Sequence, residues 1–175
     1  MKYAELAHSQ TVYLHPGELC VCDEPTKVVT VLGSCVSVTL FNRRLRIGAI
    51  CHATLPECRT TEKCESLCIE AFKFMDCAMR YMLGAFRERG VQNKEIEIKM
   101  FGGADTLISQ SSNTVGSKNI QTALSILRDE HLSVVAMDVG DSFGRKLIFY
   151  SHTGQVYLKR LRNVNMPGKG NGKKD

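Results

Sequence analysis

The sequence has no apolar run long enough to cross a bilayer and no apolar core of the kind that a secretory signal requires. Its longest weakly polar run, residues 28–41, has 14 residues and is interrupted by threonine, serine and glycine. A transmembrane helix needs roughly 20 predominantly apolar residues. Residues 1–13 carry charged side chains within weakly apolar sequence and lack a signal-peptide pattern. We therefore expect a cytoplasmic protein without membrane insertion, whose eight cysteines stay reduced.

Most of the chain also lacks an excess of charge of either sign. Residues 1–158 contain 17 basic and 17 acidic side chains, whereas residues 159–175 contain six basic and one acidic. A nucleic-acid binder usually carries a basic face on its folded body, so we do not expect nucleic acid as a partner. We expect residues 1–162 to form one domain. We interpret residues 163–175 as a disordered basic tail that serves solubility rather than contact with an acidic partner or anionic lipid.

Closely spaced cysteine pairs of the C-x2-C type are absent as well. A tetrahedral site could in principle use Cys58, Cys64, Cys68 and His52, but this spacing matches no closed zinc-site pattern. We interpret most cysteines as small buried hydrophobic residues. The sequence therefore predicts no metal site and no cofactor.

Apolar periodicity predicts the order strands, helix, strand, helix, strands. Strands are predicted at residues 18–22, 27–32, 35–41, 45–51, 95–101, 133–139, 146–151 and 156–161, and helices at 62–89, which ends before Gly90, and at 117–130. This order predicts an α+β or α/β sandwich with a mixed sheet and two main helices.

Cys35 is the candidate nucleophile, because Gly33 and Ser34 immediately precede it at the start of a predicted strand. A sharp turn there leaves backbone N–H groups that could lower the pKa of a thiol or hold an oxyanion. His52, 17 residues later, is the candidate base. The alternative interpretation is a buried cysteine and a hydrogen-bonded histidine at the end of a strand.

Hairpin geometry tests this pairing. If Arg43 and Arg44 are the two turn residues, Cys35 lies directly opposite His52, where Cβ atoms are about 4.5–5.5 Å apart. A shift of one residue instead places Cys35 opposite Cys51 and turns His52 to the other face of the sheet.

Two further features extend the candidate site. Thr30, five residues before Cys35, is the nearest group that could orient the histidine. Gly102 and Gly103 follow a predicted strand and permit a close backbone approach to a ligand, or equally form a tight turn. They do not belong to a phosphate-binding loop, since the G-x-x-x-x-G-K-[ST] pattern is absent.

The ordered motifs of the chain resemble those of the chemoreceptor glutamine deamidases, the CheD family. The resemblance covers residues 12–161 and is carried by HPGE at 15–18, TVLGSCV at 30–36, IGA at 47–49, HATLP at 52–56, KMFGGA at 99–104, GSKNI at 116–120, DVGDSFGR at 138–145 and GQV at 154–156. One departure is Asp141, which stands where a second glycine is common in the family.

The resemblance implies a three-layer sandwich with a largely antiparallel sheet, like the deamidase domain of bacterial cytotoxic necrotizing factors. It also implies a catalytic set of Cys35, His52 and Thr30, with Gly33, Ser34, Gly102 and Gly103 near the substrate or the oxyanion. The implied activity converts receptor glutamines to glutamates through a thioester. The implied partners are methyl-accepting chemotaxis receptors and a CheC-type phosphatase. Receptor methylesterase activity at the same site, or a non-catalytic adaptor, are the alternatives.

Overall fold

The computed structural model describes residues 10–58, 71–105 and 114–161. These residues form two α-helices and nine β-strands. The elements are β1 Gln10–Tyr13, β2 Leu19–Cys22, β3 Thr26–Leu32, β4 Val36–Asn42, β5 Ile47–Cys51, α1 Met75–Glu88, β6 Ile96–Gly102, α2 Val115–Asp129, β7 Val134–Val139, β8 Gly144–Tyr150 and β9 Gln155–Leu161.

The strands divide into two mixed sheets, which confirms the predicted α+β class. One sheet has the order β1-β3-β8-β9 and the other β2-β5-β4-β6-β7. The β1–β3 and β6–β7 pairs are parallel, and the remaining neighbours are antiparallel. Both helices contact the five-stranded sheet, and the four-stranded sheet packs on its other face, so the molecule has three layers.

Strand β4 lies at the centre of this arrangement, and all seven of its residues are buried. Because side chains alternate along a strand, Val36, Val38 and Leu40 pack with the helices. The alternate residues, among them Ser37 and Thr39, face the four-stranded sheet. Cys35 precedes the strand on this second face and packs with Leu32, Phe101 and Leu147.

The predicted register of the β4–β5 hairpin is wrong. The turn contains four residues, 43–46, and is closed by the Asn42 side chain, whose Oδ1 accepts a hydrogen bond from the Leu45 amide at 2.8 Å. Arg46 takes a φ of 56°, in the left-handed region that ends such turns. Asn42 therefore pairs with Ile47 instead of Leu45, and Cys35 and His52 are not directly opposite. The shift spans two residues, so both side chains stay on the same face of the sheet.

The predicted start of the first helix is also wrong within the described residues. Residues 59–70 lie outside the described residues, Ala71–Lys73 form a 3₁₀ turn, and Phe74 is extended and pairs with Leu55. This pairing interrupts the helical path that the apolar spacing of the sequence predicts. The end is correct, because α1 stops at Glu88 and Gly90 follows with a φ of 71°, the conformation typical after a helix C-terminus.

The described residues test the predictions on the cysteines, the tail and membrane insertion only in part. Cys64, Cys68 and the tail at 163–175 lie outside the described residues. Within the described ranges, no three histidine, cysteine or acidic side chains are grouped so as to hold a metal ion. No helix within those ranges is long and apolar enough to cross a membrane.

Candidate active site

A hydrogen-bonded chain of three residues connects the two sheets. Thr30 on β3 and His52, just beyond β5, are both buried, and the Thr30 Oγ1 atom lies 2.8 Å from His52 Nδ1. The same hydroxyl donates to the Leu14 carbonyl at 2.8 Å. A threonine hydroxyl has a single proton to donate. Since Leu14 receives this proton, Thr30 accepts from His52, and the Nδ1 atom must carry the hydrogen.

This assignment leaves the other ring nitrogen of His52 as a base. In a neutral imidazole only one nitrogen carries a proton, so Nε2 has a free lone pair. The Nε2 atom is buried and has no hydrogen-bond partner among the described residues. The arrangement is that of a histidine oriented by a third group, although the Cys35 thiol makes no hydrogen bond to Nε2 in this structure.

The backbone of His52 is held by the turn that contains the HPGE motif. The Gly17 amide donates to the His52 carbonyl at 2.8 Å, and the His52 amide donates to the Glu18 carbonyl at 2.8 Å. The turn is closed by the Glu18 side chain, which accepts from the His15 amide at 2.8 Å. The motif therefore fixes the position of the candidate base.

Cys35 lies at the end of the bend that joins β3 to β4, and a neighbouring glycine loop holds its backbone. The Gly103 amide donates to the Cys35 carbonyl at 2.7 Å, and the Ala104 amide donates to the Gly33 carbonyl at 2.9 Å. Gly102 has a φ of 104°, and a Cβ atom there would lie 2.2 Å from the Cys35 carbonyl oxygen. Glycine is required at this close approach.

The two predicted glycines therefore contact the main chain of the candidate nucleophile, and the Gly103 N–H is engaged by the Cys35 carbonyl. Ser34 is exposed at the bend. Gly33 is half-buried, and no atom lies within 4 Å of the place that a Cβ atom would take there.

The loop that follows β7 packs on the glycine loop. The Gly140 amide donates to the Gly102 carbonyl at 2.9 Å, and the Asp105 amide donates to the Asp141 carbonyl at 2.7 Å. Asp141 has a φ of 64°. This left-handed conformation explains why glycine suits the position, and aspartate is among the residues that tolerate it best.

Burial shifts the pKa of both candidate reacting groups in the direction that favours their neutral forms. Desolvation raises the pKa of the Cys35 thiol, and the opposing effect of its own backbone amide is smaller. Desolvation lowers the pKa of His52, against smaller opposing effects of the Leu14 backbone and the Glu18 charge. The backbone amide of the bend lowers the thiol pKa, as the sequence suggested, but the larger effect of burial outweighs it. Both shifts favour a thiol and an imidazole over a thiolate and an imidazolium.

Sequence reasoning did not identify Leu14, whose carbonyl fixes the direction of the Thr30 hydroxyl. Its position immediately before the HPGE motif was the available signal.

A separate cleft of about 560 Å³ lies on the helix side of the five-stranded sheet, with Leu55, Phe74 and Val115 in its lining. It contains none of the predicted site residues.

Comparison with known proteins gives the family. A model of the family described as CheD chemotactic sensory transduction matches residues 55–160. The chain belongs to the CheD family. A relative from Geobacter sulfurreducens, named a probable chemoreceptor glutamine deamidase CheD 2, is 44% identical over 164 residues, which cover 93% of this chain and 96% of the relative.

Two further CheD relatives carry the name probable chemoreceptor glutamine deamidase CheD. The protein from Maridesulfovibrio salexigens is 40% identical over 155 residues, covering 86% of this chain and 91% of its own. The protein from Oleidesulfovibrio alaskensis is 37% identical over 159 residues, covering 87% and 74%.

Proposed function

We propose that this protein is a chemoreceptor glutamine deamidase, which converts glutamine side chains of methyl-accepting chemotaxis receptors to glutamate and releases ammonia. The carrying observation is the contact between Thr30 and His52, which leaves the Nε2 atom as a buried base on the same face of the sheet as Cys35. The names of the CheD relatives support the substrate.

In the acylation half of the proposed reaction, His52 Nε2 takes the Cys35 proton as the sulfur attacks the glutamine side-chain carbonyl carbon. A C–S bond forms, and the carbonyl oxygen becomes an oxyanion. His52 then returns the proton to the amide nitrogen, the C–N bond breaks, and ammonia leaves. The product is a thioester between Cys35 and the substrate.

In the deacylation half, His52 takes a proton from water as the water oxygen attacks the thioester carbon. The C–S bond breaks, and His52 returns the proton to the Cys35 sulfur. Thr30 keeps Nδ1 protonated during both halves and stabilises the transient imidazolium as a hydrogen-bond acceptor. Backbone amides of the bend at Ser34 and Cys35 are the oxyanion donors in this proposal, and Gly102 and Gly103 hold that bend in place.

The test is peptide mapping by mass spectrometry of a receptor cytoplasmic fragment from the same organism, incubated with wild-type protein, Cys35→Ala or Cys77→Ala. Cys77 lies on α1, away from the bend, and is the matched cysteine control. We expect glutamine-to-glutamate conversion, with one ammonia per site, for the wild type and Cys77→Ala only. Equal conversion by Cys35→Ala would refute the cysteine mechanism.

The same experiment addresses the alternative activity and partner. A glutamate methyl ester would form the same thioester with loss of methanol, so the fragment is also presented in methylated form. Ester hydrolysis without deamidation would make the protein a methylesterase, and neither reaction would favour the adaptor. Binding of a CheC-type phosphatase is part of the proposal and is tested by adding that protein to the assay.

A further inference from the structure

A buried serine lies opposite the candidate base. Thr39 pairs with Ile50, and Val36 pairs with Ala53 through two hydrogen bonds of 3.0 and 2.9 Å. The same register therefore places Ser37 opposite His52. Directly opposed residues of an antiparallel pair have Cβ atoms about 4.5–5.5 Å apart, and Ser37 lies on the face of β4 that Cys35 also occupies.

Both residues carry a buried polar atom that lacks a partner. Ser37 Oγ and His52 Nε2 are each inaccessible to solvent and make no hydrogen bond within the described part of the chain. A buried polar group left unsatisfied costs about 1–3 kcal/mol, and two of them on opposed residues are rarely retained without a use. On the other side of Ser37, Phe101 of β6 pairs with it and is itself buried.

These two atoms have the chemistry to hold one small molecule that both donates and accepts hydrogen bonds. The Nε2 lone pair accepts a hydrogen, whereas the serine hydroxyl can donate or accept. Water and ammonia satisfy both atoms at once. An apolar side chain of similar size would suit a site with only a packing role better than serine.

We propose that Ser37 Oγ and His52 Nε2 form the subsite that receives the departing ammonia and then holds the hydrolytic water. The inference rests on the proposed deamidase function and adds a positioning residue to it. His52 Nε2 protonates the amide nitrogen that leaves as ammonia, and the same Nε2 atom must then deprotonate the water. The two molecules therefore occupy the same position in turn, and Ser37 supplies the second hydrogen bond.

Attack of water on the thioester should depend on Ser37 more than the release of ammonia does. The amide nitrogen is covalently attached to the substrate until it leaves, whereas water must be oriented by hydrogen bonds alone. Removing the Ser37 hydroxyl should thus slow deacylation more than acylation.

All proteins in the experiment carry Cys20→Ala, because the pKa of Cys20 is lowered to about 7 and its thiol would also react with an activated ester. The substrate is the p-nitrophenyl γ-ester of an N-acylated glutamyl peptide, which acylates Cys35 rapidly and makes deacylation limiting. For Ser37→Ala we expect a nitrophenolate burst of one per enzyme, as in the wild type, followed by a steady rate about tenfold lower. Ammonia release from the corresponding glutamine peptide is followed in parallel. A steady ester rate within about twofold of the wild type would overturn the inference.

Thr39→Val is the matched control, because Thr39 is a buried hydroxyl residue on the same face, two positions further along β4. It should keep the wild-type steady rate, and an equal slowing in this variant would overturn the inference as well. Ser37→Ala removes an unsatisfied hydroxyl and should not lower the midpoint of thermal unfolding. If it does not fold, Ser37→Cys, which keeps the volume but bonds weakly, replaces it and should slow the steady rate in the same way.

Failure of the proposed function has a different signature. If wild-type protein releases no ammonia from the receptor fragment and Cys35→Ala gives the same burst as the wild type, the deamidase mechanism fails. If the wild type turns over and Ser37→Ala turns over equally, only the subsite fails.

Discussion

The Thr30 hydroxyl accepts a hydrogen bond from His52 at 2.8 Å because its own proton is donated to the Leu14 carbonyl. This relationship fixes the imidazole tautomer without a carboxylate. A buried aspartate in the place of Thr30 would add a negative charge to the space between the sheets, whereas a hydroxyl accepts the same hydrogen bond as a neutral group.

Replacing Thr30 by valine should remove the acceptor while keeping the shape of the side chain. The ring of His52 then loses its preferred tautomer, and we expect ammonia release to fall about 100-fold or more. Thr30→Ser keeps the hydroxyl and should retain most of the activity. Rates are measured with the receptor fragment. Equal activity of the valine and serine variants would show that Thr30 does not orient the base.

The activity should depend on pH in the way that a neutral thiol and a neutral imidazole require. His52 must be unprotonated to accept the thiol proton, and burial lowers its pKa, so the acidic limb of kcat/KM should lie below the usual imidazole pKa of about 6.5. The Cys35 proton later reaches the leaving ammonia, and burial raises the thiol pKa. The alkaline limb should thus lie above the usual thiol range. An alkaline limb that instead followed the deprotonation of an imidazolium near neutral pH would indicate a preformed ion pair.

The sequence predicted the face of the sheet on which a side chain lies more reliably than the residue that stands opposite it on the neighbouring strand. Alternating apolar residues place Cys35 and His52 on one side of the sheet, and a turn of two or of four residues gives the same side. The pairing itself depends on the Asn42 side chain closing a longer turn, which spacing does not show. The sequence did not predict strand β1, because the strand has only four residues and some of them are polar. It also pairs in parallel with β3, which is not its neighbour along the chain. The Leu14 carbonyl and the opposition of Ser37 to His52 depend on that tertiary arrangement.

Cys20 should be alkylated before Cys35. The Sγ atoms of Cys20 and Cys22 lie 3.0 Å apart on β2, and the hydrogen bond from Cys22 lowers the pKa of Cys20 to about 7. The lower pKa raises the fraction of Cys20 that is thiolate, the reactive form, near neutral pH. An iodoacetamide time course with peptide mapping should show Cys20 labelled well before Cys35.

Cys22→Ala is the control, because it removes the donor and should slow the labelling of Cys20. Faster labelling of Cys35 in the wild type would contradict this assignment. Reactivity assays directed at Cys35 are best made in a Cys20→Ala background.

Gly102→Ala should disturb both the stability and the site. The added Cβ would lie 2.2 Å from the Cys35 carbonyl oxygen, at a φ of 104°, so the backbone of the candidate nucleophile has to move. We expect a loss of at least about 2 kcal/mol in the free energy of unfolding together with a large loss of ammonia release. Gly84→Ala is the matched control, since Gly84 lies within α1 with open space around it.

Alanine at Gly84 should raise the stability by about 0.5–1 kcal/mol and leave the rate unchanged. Both variants are compared by urea unfolding. If Gly102→Ala unfolds at the same urea concentration as the wild type, the close approach of Gly102 to Cys35 does not constrain the bend.

The charged side chain that most strongly stabilises the junction of the two sheets should be Arg145. Its side chain is almost fully buried and donates to Asp138 at 2.6 Å and to the Phe143 carbonyl at 2.8 Å. Arg160, which is half-exposed, donates to the other Asp138 oxygen at 2.8 Å. Removing one partner of a buried ion pair costs about 3–5 kcal/mol, whereas an exposed pair contributes about 0–1 kcal/mol.

We therefore expect Arg145→Met to lower the free energy of unfolding by about 3 kcal/mol and Arg160→Met by about 1 kcal/mol or less, in urea at pH 7. Although burial would raise the pKa of Asp138, hydrogen bonds and charge from Arg145 and Arg160 keep that pKa below its usual value. The stability from this carboxylate is thus present above the unfolded pKa of about 3.9 and is lost as the pH falls through the lower folded pKa. The difference between wild type and Arg145→Met should shrink at acidic pH. Equal destabilisation by the two arginine variants at pH 7 would show that burial of Arg145 does not set the strength of this junction.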